Sequence, residues 1–357
     1  MEELYQKWEN SVCICFALDN NYVPYLSVAI KSIVDNSNAN NFYEIYILES
    51  DISNNNKSKI LSLAKENIYI KFININSYIS HYDKNIFQIS SHITIDAYFR
   101  FFIPRIFKNF EKILYLDPDI LVLNDIAQLY NKSSDKMIYA VKDIYIIKAL
   151  FTKNSEAILE YLNNKLKLEN PYNYFNSGIL LINMQKLLEF NFEEKCIKRL
   201  KEIQNPIYVD QCILNFVLQN EVGFIDFSYN TQINSLKENY LKNELPEDIY
   251  NDFIKALDNP KIIHYCGDKK PWNSYNPSSK KTRLWWQYAS LSPFYNEIVY
   301  TNILQKVCIL ENKLNELEYI IYTKKDKKNI IDFIFSMEEN GKYKVITIFG
   351  IKITIKK

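Results

Sequence analysis

The sequence predicts an α/β fold with a mainly parallel, mixed sheet flanked by helices. Three observations carry this expectation. Short apolar runs alternate with helical patterns through roughly the first 270 residues, the signature of βαβ units. The apolar fraction is 48%, and 28 Tyr with 21 Phe add large buried surfaces with polar tips, enough for a sizeable core. At 357 residues the chain has room for one large domain and an appendage.

The first strand is VCICFAL, residues 12–18. A helix follows, with Pro24 near its first turn and Leu26, Ala29, Ile30, Ile33 and Val34 on one face. Further strands are expected at 43–48, 68–73, 112–116, 137–141, 177–183 and 261–265, with helices between them at about 55–66 and 94–103. Active sites in such open sheets lie beyond the carboxyl ends of the strands. The character changes near residue 286, so the chain divides into a domain at 1–285 and an appendage at 286–357. Ile303, Val307, Leu310, Leu314, Leu317 and Ile321 alternate spacings of four and three, a heptad seam that allows an oligomer. Nine Lys against four acidic residues follow from 323 to the end. One expectation for this region is a helix packed on the core plus a solvated hairpin. The other is peripheral attachment to an anionic membrane surface through basic residues interleaved with Ile, Phe and Val.

Several classes are disfavoured. A net charge of +1 argues against a nucleic-acid binder, whose affinity rests on a basic excess. Six cysteines at 13, 15, 196, 212, 266 and 308 form no C-x-x-C pair and read as reduced thiols of a cytosolic protein. The amino terminus has no basic n-region, and no run reaches eighteen apolar residues, so neither a signal peptide nor a membrane span is expected. Only five glycines occur (178, 223, 267, 341 and 350), none within four positions of another. That spacing excludes both G-x-G-x-x-G and the G-x-x-x-x-G-K-[ST] loop. A bound nucleotide would need something other than a glycine cradle for its phosphates.

Residues 113–126 read ILYLDPDILVLNDI. Pro118 has no N–H for a ladder, so the strand should end near Leu116 and leave Asp117 and Asp119 at its carboxyl end. Residues i and i+2 of an extended chain point the same way. Paired like charges want a divalent cation between them, although a turn with a solvated Asp has the same spelling. HYCGDKKPW, residues 264–272, places an imidazole at a predicted strand end and an ammonium in the following loop. Its bland reading is a core histidine before an ordinary turn; its functional reading completes an Asp/Asp/His set.

Over roughly residues 12–285 these motifs, in this order, resemble glycosyltransferase family 8, the retaining transferases that use nucleotide sugars. Ala17, Asp19, Asn21 and Tyr22 match the early uridine-binding segment; His92 and Arg100 of HITIDAYFRFFIP match the segment before the metal motif; LDPD matches Asp-x-Asp. Asp143 falls where the family contacts the sugar, Asn176 matches F-N-[SA]-G, Asp210 and Gln211 match the Asp-Gln pair, and His264, Gly267, Lys270 and Trp272 match H-x-x-G-x-x-K-P-W. The resemblance implies a single nucleotide-binding, Rossmann-like sheet domain of the GT-A type. It implies metal ligands Asp117, Asp119 and His264 around Pro118, holding Mn²⁺, with Mg²⁺ as the alternative. UDP-galactose or UDP-glucose would donate to a glycan hydroxyl with retention. Asp19 would accept from the uracil N–H and Tyr22 stack on the base; Arg100, Asp143, Asn176 and Asp210 would hold sugar hydroxyls. Gln211 would lie near the anomeric face, where an amide is a poor nucleophile, favouring a front-face mechanism. The cation and Lys270 would stabilise the departing diphosphate, a contribution typically about 3 to 4 kcal/mol for such a donor. The basic tail resembles the attachment ends of bacterial members that extend lipooligosaccharide or lipopolysaccharide cores, which implies a lipid-linked acceptor on the cytoplasmic face of the membrane, with another soluble glycan or a protein as the alternative acceptor.

Two other classes compete. A strand followed by Asp-x-Asp also opens haloacid-dehalogenase-like phosphatases, but there a small pair follows the motif, whereas here Ile120 and Leu121 do. An inactive carbohydrate-binding scaffold should have lost an Asp, the His or the Lys, and all are present.

Overall fold

The computed structural model describes residues 3–356 apart from 88–94, 133–134, 153–154, 204, 234–240, 268–269, 274–278, 324–334, 341–342 and 349–350. The chain forms two compact units, Met1–Ile298 and Val299–Lys357. The boundary expected at 285/286 falls inside the helix Lys280–Ala289 of the first unit.

The strands of the first unit are β1 (Val12–Ala17), β2 (Tyr43–Glu49), β3 (Ile68–Asn74), β4 (Lys112–Leu116), β5 (Ile120–Val122), β6 (Ile138–Lys142), β7 (Phe175–Asn183), β8 (Val222–Phe224), β9 (Thr231–Gln232) and β10 (Ile262–His264). Seven form one sheet in the order β3-β2-β1-β4-β7-β6-β8. Its neighbours pair in parallel except at β7, which runs against both β4 and β6. Every residue of β1 and β2 is buried, as expected of strands covered on both faces, while the edge strand β3 is only partly so. The strand order reverses where β1 lies against β4, and their carboxyl ends open the crevice in which such sheets bind ligands.

The expected strand at 261–265 exists as β10 but leaves the main sheet. It pairs antiparallel with β5 and parallel with β9 in a separate three-stranded sheet. Segments of two and three residues are too short to show a period, which is why β5, β8 and β9 do not stand out in the sequence. The helix expected at 94–103 is a 3₁₀ segment, Ile95–Phe102, passing into one α-turn, Ile103–Ile106, with Pro104 near its start. Residues 88–94, including His92, lie outside the described residues.

In the second unit the heptad seam lies on the helix Tyr295–Thr323; Ile303, Val307, Leu310 and Leu314 are exposed, and Leu317 is buried. The three strands β11 (Phe335–Asn340), β12 (Tyr343–Ile348) and β13 (Ile351–Lys356) form an antiparallel meander rather than the expected hairpin. FSMEEN, with consecutive Glu338 and Glu339, lacks the alternation that marks a strand. Among the described residues no helix is long and apolar enough to cross a membrane.

One clamp fixes the crevice wall. Buried Asn215, on the helix Val209–Val217, accepts from the Phe175 N–H and donates to the Phe175 carbonyl, both at 2.8 Å. Asn215→Leu strands both backbone groups and is expected to lower unfolding stability by roughly 2 to 4 kcal/mol, measured by urea denaturation.

Candidate active site

Two ladders bring distant residues together. Past the end of β4 the Asp117 N–H still donates to the Gly178 carbonyl of β7 at 2.7 Å; Pro118 then turns the chain into β5. The register of β5 against β10 sets His264 opposite Ile120, and the Tyr265 N–H donates to the Asp119 carbonyl at 3.0 Å. His264 Nε2 consequently lies 3.2 Å from Asp119 Oδ1 and 3.8 Å from Asp117 Oδ2. Gly178 makes the approach possible. A Cβ there would fall 2.3 Å from His264 Cε1 and 2.7 Å from Asp117 Oδ2.

Cations flank the carboxylates. The Lys270 ammonium binds Asp119 Oδ2 and donates to the Tyr265 carbonyl at 2.7 Å. Arg100 is buried on the Tyr115 ring, 4.3 Å from its centroid, and bridges two acids, Asp117 at 3.0 Å and Asp210 at 3.2 Å. It also donates to the Ser177 carbonyl at 2.6 Å, so much of its donor capacity is already engaged by the protein. Burial pushes the Asp119 carboxyl up, but Lys270 and His264 outweigh it and hold the group below the usual carboxylate range. For Lys270 the order is similar: burial lowers the ammonium, and Asp119 more than restores it. Asp210 goes the other way, pushed up to about 6 by burial and by Asp117, with Arg100 opposing.

The three groups fit a divalent cation. One ligand atom each from Asp117, Asp119 and His264 lies within 4.8 Å of the others, two carboxylates and an imidazole suited to a borderline metal such as Mn²⁺. Asp119 Oδ1 is buried, and among the described residues it meets only the imidazole nitrogen, leaving an oxygen for which a cation is the natural partner.

Ala17, Asp19, Tyr22, Arg100, Asp117, Pro118, Asp119, Asp143, Asn176, Asp210, Gln211 and Gly267 line one open cavity of about 570 Å³. Gly267 adopts φ 70°, a conformation that favours glycine. His264 and Lys270 do not line the cavity themselves; they lie behind its wall, against Asp119. Asn21 is exposed and donates to Asp19 instead of joining the wall. Tyr22 meets Trp272 edge-on, with centroids 6.0 Å apart, and Trp272 stacks on Tyr25 at 3.9 Å. Gln211 Oε1 accepts from the Ser177 N–H at 3.0 Å and from Asn176 at 3.2 Å, while its Nε2 donates to Asp143 at 3.1 Å. Asp143 caps the helix Ile144–Phe151, accepting from the Tyr145 and Ile146 N–H groups.

Sequence reasoning missed three contributors. Tyr115 donates to Asp117 at 2.9 Å, Ser177 touches Asp210 and Gln211, and fully buried Asn230 contacts both Asn176 and His264. Tyr115 lies two residues before Asp117, and Ser177 lies inside FNSG, so both stood within motifs already singled out. Asn230 carries no such signal.

The profile of glycosyl transferase family 8 matches residues 13–276. General stress protein A of Bacillus subtilis (strain 168) is 27% identical over 267 residues, spanning 72% of this chain and 85% of that protein. The lipopolysaccharide 1,2-glucosyltransferase of Escherichia coli (strain K12) is 27% identical over 267 residues, 73% of each. Among solved structures, the apo form of the bifunctional glycosyltransferase WbbM superposes with a TM-score of 0.73 at 26% identity; the match covers 84% of this chain and 53% of that one.

Gly178→Ala is expected to weaken Mn²⁺ binding about 10- to 100-fold, as displaced metal ligands do, and to lower the melting temperature, because it overpacks a buried strand. Electron paramagnetic resonance titration of free Mn²⁺ measures it, and unaltered affinity would refute the steric argument.

Proposed function

Because the chain belongs to glycosyltransferase family 8 and has its GT-A type fold, we propose that it is a retaining hexosyltransferase. It moves galactose or glucose from a UDP-sugar to a glycan hydroxyl with Mn²⁺ as the cation, Mg²⁺ being the alternative. The observation that carries the proposal is the meeting of Asp117, Asp119 and His264 beneath a cavity at the carboxyl ends of β1 and β4, with Lys270 beside them. A chain without a glycine loop holds a diphosphate through such a cluster.

When bound, the cation neutralises diphosphate oxygens and stabilises the charge that grows on the leaving group. The protein's residues do the rest. Asp117, Asp119 and His264 hold the cation; Lys270, kept charged by Asp119, supplies a second positive group for the leaving diphosphate. Asp19 and Tyr22 receive the uracil, and the stacked pair of Trp272 and Tyr25 backs that wall. Asp143, Asn176 and Asp210 face the sugar hydroxyls. Arg100 acts chiefly by keeping Asp117 and Asp210 side by side. Gln211 Oε1, already held by three donors, is a poor candidate for a nucleophile, which favours a front-face reaction through an oxocarbenium-like transition state.

The E. coli relative's name supports a lipopolysaccharide-type glycan as acceptor. In this reading residues 1–285 carry catalysis at the cytoplasmic face, and 286–357 attach the protein to anionic lipid. Neither the phosphatase nor the scaffold alternative gains support from any feature of the site.

UDP release from a panel of UDP-sugars, in Mn²⁺ or EDTA, tests the activity. Release from one donor, metal-dependent and lost in Asp119→Asn, is expected; absence of both binding and turnover with every nucleotide sugar would sink the proposal. For the tail, deleting 324–357 should free the protein from anionic liposomes at low salt. Unchanged co-sedimentation would remove the attachment reading.

A further inference from the structure

We propose that Asn230 is a positioning residue that fixes the proton of His264 on Nδ1 and leaves Nε2 as the lone-pair donor to the metal. The inference rests on the reading of Asp117, Asp119 and His264 as metal ligands, and it concerns a side chain that no motif of the chain identifies.

The argument is one of polarity. Asn176 sits between two groups whose roles are not interchangeable: the Asp143 carboxylate, which accepts from Asn176 Nδ2 at 3.2 Å, and the Gly178 backbone N–H, which donates to Asn176 Oδ1 at 3.0 Å. These partners fix which end of the amide is which. Asn176 Oδ1 also accepts from Asn230 Nδ2 at 2.8 Å, so the other end of Asn230 is its oxygen. That oxygen faces His264 Nδ1 at 3.0 Å. An oxygen can only accept, so Nδ1 must carry the hydrogen, and in the neutral ring, the form that ligates a cation, the lone pair is therefore on Nε2, the nitrogen that faces Asp119 and Asp117. Asn230 is fully buried, where a hydrogen bond left unmade is costly. An outer partner that sets tautomer and ring direction in this way governs metal affinity. Here the same amide also orients Asn176, so one buried side chain ties the metal end of the cavity to its sugar end.

Two readouts on the full chain test this. The first needs no metal: with only three histidines in the sequence, long-range ¹H–¹⁵N correlation can isolate the His264 ring. A hydrogen-bonded proton on Nδ1 is expected in the wild type and in Asn230→Asp, which keeps an acceptor there, and should be lost in Asn230→Ala. The second is Mn²⁺ titration by electron paramagnetic resonance, with melting temperature recorded for every variant. Asn230→Ala should bind Mn²⁺ about 10- to 100-fold more weakly. Asn230→Asp should stay within a few-fold of wild type for Mn²⁺ and UDP but bind the UDP-sugar more weakly, since it no longer donates to Asn176. A side chain that only fills space would move metal, sugar and melting temperature together. Asn230→Ser is a second truncation, too short to reach both partners, and must likewise lose metal affinity. A bare Nδ1 in the wild type, or wild-type Mn²⁺ affinity in a folded Asn230→Ala, would overturn the relay. Failure of the wild type itself to bind Mn²⁺, with the Nδ1 proton in place, would instead overturn the metal reading from which the relay draws its purpose.

Discussion

Three carboxylates crowd the floor of the crevice, and their mutual repulsion is the constraint to which the surrounding structure answers. Asp117, Asp119 and Asp210 come within reach of a single guanidinium and a single ammonium. Arg100 spans the first and third, and Lys270 offsets the second. Each acid then has a different local balance: Asp119 is held ionised, whereas Asp210 is pushed towards neutrality. Burying such a cluster is expensive unless every member is partnered. The partners come from five separate parts of the chain, so the cluster forms only when the two sheets have closed on each other.

That dependence explains the division of labour between the sheets. The seven-stranded sheet supplies the core and brings Ala17, Asp117 and Asn176 to one edge of the crevice. The small sheet of β5, β9 and β10 is short but buried; it carries His264 and leads into the loop with Gly267, Lys270 and Trp272. The proposed binding of phosphate through side chains and a cation, in place of a glycine-rich backbone loop, would use this arrangement. The two carboxylates converge on one point, and the second sheet, folded over the end of the first, brings the imidazole to them.

Much of this was legible in the sequence. Apolar runs such as VCICFA and FNSGILLIN mark central strands because burial on both faces leaves no polar alternation. Pro118 announced the end of β4, and polar residues stranded at predicted carboxyl ends turned out to share one cavity. What escaped has physical reasons. The strand at 261–265 is legible as β10, but nothing in three residues says that it pairs with β5 and β9 rather than with the main sheet. Arg100 matched a site motif, but pattern gives no hint that its donors are absorbed by Asp117 and Asp210. Gly178 looked like an ordinary motif glycine until the distance from its missing Cβ to His264 was known. Asn230, within FSYN, is one asparagine among many, and its importance lies wholly in what folds against it. Tail strand β11 eluded detection because FSMEEN breaks alternation.

The ladder between β5 and β10 has a consequence for what a preparation of this protein contains. His264 meets the carboxylates only because it pairs with Ile120; a slip of one residue in so short a ladder would turn it to the opposite face and offer Ile263 or Tyr265 instead. Ile262 and Ile263 are themselves buried in the core, so a slip would also forfeit their packing and leave a less stable molecule. Titration of competent sites and measurement of folded mass are therefore separate quantities here. Specific activity reports the product of the rate at a good site and the fraction of chains that chose the right partner, and batches of equal purity can differ in the second factor.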